Sequence, residues 1–132
     1  MDKERIGELG VDYRSALSRL SEALADDLSK GSIVVDGTIQ RFEFTFELAW
    51  KLQRAILFLK GIQANTPRDA IKESFRIDLI QDGDGWIAML EDRNITSHVY
   101  DEATALRIYG VIKNKYHKLL LDFAAKAQEL LL

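Results

Sequence analysis

Proline occurs once in this chain of 132 residues, at position 67. Proline lacks the backbone N–H and its ring collides with the preceding turn, so it ends or kinks helices. A chain almost free of it has little to interrupt long helices, and its apolar residues recur at helical spacing. Leu9, Tyr13, Leu17, Leu20, Leu24 and Leu28 fall at three- and four-residue steps, one stripe of a period of about 3.6 residues. They predict a first helix from about Lys3 to Leu28, with Gly10 tolerated at a cost of about 1 kcal/mol relative to Ala. Lys30-Gly31-Ser32 ends it, with Gly31 suited to a left-handed turn.

A second helix is expected from about Gly37 to Lys60, with Asp36 as N-cap. Ile39, Phe42, Phe46, Ala49, Gln53 and Ile56 make one face of it, and Phe44, Leu48, Leu52 and Leu59 another. Such a helix is either central or used twice, once for the core and once for a partner. Thr66-Pro67 opens a third helix, with a hydroxyl at the cap and proline at the first helical position, where its missing N–H costs nothing. Ala70, Ile71, Phe75, Leu79 and Ile80 supply its apolar surface. Asp82-Gly83-Asp84-Gly85 reads as a turn, with a fourth helix from near Trp86. Asp101 caps the last helix, whose stripe is Leu106, Tyr109, Ile112, Tyr116, Leu119, Phe123, Ala127 and Leu130. Ile33-Val34-Val35 is too short to compete as a strand. The expected fold is all-α, an antiparallel up-and-down bundle of four to five helices spanning residues 1–132 as one domain.

Composition narrows the function. There is no cysteine, which removes disulfides and thiolate metal sites. Two histidines without paired spacing argue against a transition-metal centre, and no cofactor is implied. No apolar run reaches the roughly 18 residues of a membrane span, and Met1 to Glu8 lacks a signal-peptide core, so a cytoplasmic protein is expected. A formal net charge of −3 does not suit a general nucleic-acid coat protein, but allows RNA contact at a small local site.

The fourth helix is where the pattern breaks. Its stripe runs through Trp86 and Leu90 and should continue apolar at positions 93 and 97, where the chain has Arg93 and Ser97, with Asn94 and His98 beside them. Asn94 and His98 are one helical turn apart and share a face. Polar groups on a core stripe are either satisfied or functional. The plainer alternative is a helix end emerging into solvent, with Asn94, Ser97 and His98 hydrated.

The run Arg93-Asn94-Ile95-Thr96-Ser97-His98-Val99-Tyr100 resembles the Arg, four residues, His, one residue, Tyr motif of HepT-like toxins in the HEPN superfamily. Ile39 through Lys51, with its Phe-Glu-Phe-Thr-Phe-Glu-Leu-Ala-Trp core, resembles the second helix of the nucleotidyltransferase substrate-binding protein family within that superfamily. Thr66-Pro67-Arg68 and Tyr100-Asp101-Glu102-Ala103-Thr104 resemble further segments of it, in the same order. The resemblance implies a dimerising helical bundle that works with a cognate minimal nucleotidyltransferase. It implies a metal-independent endoribonuclease toxin with Arg93, His98 and Asn94 as catalytic residues, RNA as substrate, and silencing by AMP transfer to Tyr100. It equally allows a non-catalytic subunit that binds substrate or nucleotide for its partner.

The chemistry suits these residue types. Without a metal, RNA cleavage needs a base for the 2′-OH proton and an acid for the leaving 5′-oxygen, and imidazole serves both near neutrality. Arginine offers a permanently charged fork for phosphate oxygens. One histidine per chain cannot readily be both acid and base, and a two-fold dimer bringing two His98 side chains to one cleft resolves this. AMP on Tyr100 would add bulk and negative charge beside them.

Glu43 and Glu47, flanked by Arg41 and Lys51, are candidates for binding or support: Glu47 and Lys51 form an ordinary helical pair, and a carboxylate can hold Arg93 in place. Arg41 and Ser97 are further support candidates. Arg68, Lys72 and Arg76 form a basic face, read as solvated and paired with Asp69 and Glu73. Lys113, Lys115 and Lys118 are also read as solvated. His117 is read as surface, and Trp50 and Trp86 as core or dimer anchors. Asp82 to Gly85 lacks the ligands and terminal Glu spacing of a calcium loop and is read as a turn and cap.

Overall fold

Asp2 starts the first helix: its carboxylate accepts the N–H of Arg5 at 2.8 Å, and α1 runs Lys3–Leu24. The computed structural model describes residues 2–98 and 101–131. Leu9, Tyr13, Leu17, Leu20 and Leu24 are buried as expected, together with Ile6. The helix stops at Leu24, short of Leu28, because two aspartates offer the backbone other partners. Asp26 accepts the N–H of Asp27 at 2.8 Å and Asp27 that of Ser29 at 2.9 Å. The chain then makes one tight 3₁₀ turn, Leu28–Lys30, leaving Leu28 exposed.

The second helix begins earlier than the sequence suggested. Gly31 has φ 100° and ψ −168°, a conformation essentially reserved for glycine, and it turns the chain directly into α2, Ser32–Leu59. Val34 and Val35 are thereby buried inside the helix, and Asp36 is an internal residue rather than its cap. The face made by Ile39, Phe42, Phe46, Ala49, Gln53 and Ile56 is buried throughout. The second face divides: Leu52 is buried, while Phe44 is 64 % exposed and Leu59 44 %.

Thr66 accepts the N–H of Asp69 at 3.1 Å and caps α3, Pro67–Arg76, with Pro67 in its first turn. Ala70 and Ile71 enter the core, but Phe75 is half-exposed. Leu79 and Ile80 are buried from the turn beyond the helix, where the Ser74 carbonyl accepts both their N–H groups at 2.8 and 3.4 Å. The run at Asp82, read as a turn and cap, caps the helix directly, for α4 spans Gly83–His98 and the Asp82 carboxylate accepts the N–H of Gly85 at 2.9 Å. Any Cβ at Gly85 would lie 2.5 Å from that carboxylate and 2.8 Å from Leu119, so glycine is what lets the cap close there.

Asp101 accepts the N–H of Thr104 at 2.8 Å and caps α5, Glu102–Val111. The rod continues through one π-turn, Ile112–Tyr116, into α6, His117–Leu131. A π-turn bonds residue i to i+5 and rotates less per residue, so the buried register beyond it moves from Leu119 to Leu120, which is fully buried. Leu106 and Leu130 are exposed, and the actual stripe is Ala105, Ile108, Tyr109, Ile112, Tyr116, Leu120, Phe123 and Ala127.

Among the described residues every regular element is helical, and the helices pack as an antiparallel bundle with α2 at its centre, touching α1, α3, α4 and α5. Its middle is aromatic: Phe42 stacks on Tyr116 at 5.7 Å, and Trp86 meets Phe123 edge-on at 5.8 Å. Trp50 is also buried, with the Arg54 guanidinium 4.9 Å from its ring centre. No helix among the described residues is long and apolar enough to cross a membrane.

Candidate functional site

The last turns of α4 leave the core on one side and keep polar contact on two others. Trp86, Met89 and Leu90 are buried and fix the helix in the bundle. One turn later the stripe reaches Arg93, whose side chain is one-third exposed. Successive helical residues advance about 100°, so Arg93 and Ser97 point one way, Asp92 and Thr96 another, and Asn94 and His98 a third.

The Arg93 and Thr96 sides meet α2. Glu43 accepts the Thr96 hydroxyl at 3.0 Å and lies 3.5 Å from that of Ser97. Both hydroxyls also lie within hydrogen-bond distance of the Arg93 carbonyl, at 2.8 and 3.2 Å. Each has one proton, so each shares it between the carboxylate and the helix backbone. One turn along α2, Glu47 stands 3.8 Å from Nη2 of Arg93 and 3.5 Å from Nζ of Lys51. Arg93 donates from Nη1 to Ser97 at 3.3 Å, and its Nε is buried with no hydrogen-bond partner among the described residues. The guanidinium is therefore near a carboxylate without being locked to it. A loosely held fork retains the donors that a phosphate would take in a bidentate grip.

Asn94 and His98 are exposed, one above the other on the outward face. The structure thus gathers Arg93, Ser97, Glu43 and Glu47 into one polar seam and sets Asn94 and His98 on the open flank of the same turn. Arg41 is not part of it. Its guanidinium donates to the Arg19 carbonyl at 2.6 Å and lies 3.9 Å from Glu22, on the side of α2 that faces α1. Tyr100 lies outside the described residues. No group of three or more potential metal-binding side chains occurs among the described residues.

Asp92 was missed by sequence reading. It is 7 % exposed, accepts the Tyr116 hydroxyl at 2.5 Å and pairs with Arg107 at 2.9 Å. A signal was available: Gly85, Met89 and Asp92 form a second buried stripe, and a carboxylate on such a stripe demands a partner. His117, read as surface, is half-buried with Nε2 2.7 Å from Ser21. Of the basic face on α3, Arg76 pairs with Glu73 at 2.7 Å, and Arg68 and Lys72 are exposed.

Residues 11–129 match the family model described as "Nucleotidyltransferase substrate binding protein like". Over 84 residues the chain is 38 % identical to a "Probable ribonuclease HepT" of Haemophilus influenzae, a match covering 60 % of this chain and 58 % of that relative. A crystal structure of a Thermus thermophilus protein shares 28 % identity and superposes with a TM-score of 0.79 over 88 % of this chain and 98 % of that one. A tri-AMPylated HEPN toxin of Shewanella oneidensis, solved in complex with an MNT antitoxin, superposes with a TM-score of 0.78 over 98 % of this chain and 99 % of that one. At 17 % identity, that likeness speaks for the fold.

Proposed function

The chain belongs to the nucleotidyltransferase substrate binding protein like family, and from that footing we propose that it is a HepT-like endoribonuclease that cleaves RNA without a metal. It acts as a homodimer and is silenced when a cognate minimal nucleotidyltransferase transfers AMP to Tyr100. One observation carries this reading: the turn bearing Arg93 and His98 is held against α2 through Thr96, Ser97, Glu43 and Glu47, while Asn94 and His98 face outward from it. A turn merely fraying into solvent would not bond its Thr96 hydroxyl to a carboxylate of another helix, with a second carboxylate 3.8 Å from its guanidinium.

In the proposed reaction one His98 takes the proton of a 2′-hydroxyl, and the 2′-oxygen attacks the adjacent phosphorus. The bond to the 5′-oxygen breaks, and that oxygen leaves with a proton from the other protomer's His98, giving a 2′,3′-cyclic phosphate and a 5′-hydroxyl end. Arg93 exchanges its loose contact with Glu47 for the phosphate oxygens, whose charge it meets as the transition state forms. Asn94 donates to phosphate or orients the imidazole. Phe44 and Ile95, exposed on the two helices that form the seam, provide apolar surface on which a second copy can seat. The curated relative's name and the modification and antitoxin of the Shewanella complex support this assignment.

Purified chain incubated with RNA in EDTA should cut it, and Arg93→Ala and His98→Ala should each lower kcat by about 10²–10⁴-fold, the usual yield of positioned acid–base groups. Intact cleavage in either variant would remove that residue from the mechanism. No cleavage by protein shown by mass spectrometry to be free of AMP would replace the nuclease with a non-catalytic substrate- or nucleotide-binding subunit. Incubation with the partner and ATP should add AMP to Tyr100 and abolish cutting.

A further inference from the structure

Immediately before Arg93 lies a charged residue that nothing above employs. Asp92 is nearly buried, and its carboxylate is enclosed by two donors from other parts of the chain. Tyr116, the last residue of the π-turn, donates its hydroxyl to Oδ2 at 2.5 Å. Arg107 of α5 donates from Nη2 to Oδ1 at 2.9 Å and from Nη1 to Oδ2 at 3.5 Å. The Arg107 side chain is half-exposed, so it covers the carboxylate from the solvent side. Burial, then the bond to Asp92, raises the Tyr116 phenol far above its ordinary range, so it remains a donor at all working pH values.

The clasp has a telling location. α4 is described as far as His98, and α5 begins close by in the chain at Glu102. Asp92 and Arg107 bridge those helices one to two turns back from that junction. Beside it, Glu43 accepts the hydroxyl of Thr96, which shares the Asp92 side of α4, and so ties the same end of α4 to α2. Between two such anchors the last turn of α4 has little freedom to rotate or swing. Stability alone does not call for this arrangement, because a buried ion pair often contributes no more than well-packed apolar residues of the same volume. Its particular value is geometric, since a bidentate pair and a short hydroxyl bond fix orientation as apolar contact does not.

We propose that the Asp92–Tyr116–Arg107 clasp is a positioning device for the Arg93–His98 turn, setting its angle to α5 so that guanidinium and imidazole address the same phosphate. None of the three need touch RNA. The proposal rests on the nuclease reading for its kinetic test, and has a second test that does not.

Tyr116→Phe removes one hydroxyl and keeps the ring that stacks on Phe42; Arg107→Lys keeps the charge and loses the fork, at a half-exposed position where folding is not at stake. With a 5′-labelled mixed-sequence single-stranded RNA oligonucleotide in EDTA, each variant should lose about tenfold to a hundredfold in kcat, the scale of a small misplacement of reacting groups. KM should stay as in the wild type, and Asp92→Asn, which puts an NH2 where one of the two acceptor oxygens was and so cannot accept from both donors, should show a loss of the same kind. Independently, amide NMR resonances of residues 93–98 and the ring resonances of His98, read in a His117→Asn background, should move in both variants while those of α1 stay in place. Wild-type protein without nuclease activity would overturn the functional reading and leave the NMR result to decide the clasp. Folded variants with unchanged kcat, or with residues 93–98 unmoved, would overturn the clasp itself.

Discussion

Ser21 Oγ lies 2.7 Å from Nε2 of His117 and 3.0 Å from the Leu17 carbonyl, tying α1 to the start of α6. Burial lowers the His117 pKa, so the folded chain holds its imidazole neutral more firmly than the unfolded chain does. The unfolded chain then binds more protons over the window between the two pKa values, and stability rises with pH across it. The stabilising contribution is complete above the ordinary imidazole value of about 6.5 and is lost as pH falls through it toward the folded value. His117→Gln should therefore flatten the fall in urea midpoint between about pH 7.5 and 5.5; an acid loss as steep as the wild type's would refute the assignment. The residue was misread because its sequence neighbours, Lys115 and Lys118, are exposed, while the π-turn before it changes which side of the rod meets α1. The seam at Arg93 was more legible. A stripe that should stay apolar and does not is visible in one dimension, whereas the carboxylates that meet it come from another helix. Local spacing names Glu43 and Glu47 but not their partners, and it placed Arg41 beside them when that side chain turns toward α1.

Among the helices, the middles were read well and the ends poorly, because ends are decided by competing local bonds rather than by periodicity. Thr66 and Asp101 are caps with nothing to rival them, and both sit where expected. Between α1 and α2 two cap candidates competed: Asp36 had the right side chain, but Gly31 had the right backbone. Burying Val34 and Val35 pulls the start of the helix back to Ser32, and only glycine sustains the φ of 100° that this requires. The two possible starts predict opposite outcomes for a pair of alanine substitutions. Open space surrounds both Gly31 and Gly37, so packing does not enter. Gly31→Ala should destabilise by about 1–3 kcal/mol through backbone strain. Gly37→Ala, well inside α2, should stabilise by about 0.5–1 kcal/mol through helix propensity. Thermal unfolding of the two variants measures this directly, and a neutral Gly31→Ala would return the start of α2 to the Asp36 side.

At the scale of the whole molecule, a bundle with a filled aromatic core still leaves large apolar side chains outside it. Several, such as Ile33 and Leu28, stand singly at turns and need no partner. Phe44 differs: it is 64 % exposed on the central helix, one residue from Glu43, which holds the Thr96 and Ser97 turn. The sequence showed that α2 was apolar on two faces, as in a helix that is central or one used twice, once for the core and once for a partner. The proposed chemistry requires a two-fold contact that brings the two Arg93–His98 turns together, and Phe44 offers exposed apolar surface for it on α2. An isologous interface meets the same residue from both sides, so one introduced charge there is repelled by its own copy. If the chain pairs through this face as proposed, Phe44→Glu should shift it toward monomer in sedimentation equilibrium, and the monomer should still fold because the side chain lies outside the core. RNA cleavage should fall as the dimer population falls and recover at raised protein concentration, following mass action. A Phe44→Glu chain that stays dimeric would move the interface elsewhere. A monomer with full activity would show instead that a single His98 suffices, and the two-histidine mechanism would have to be abandoned even if the nuclease survived.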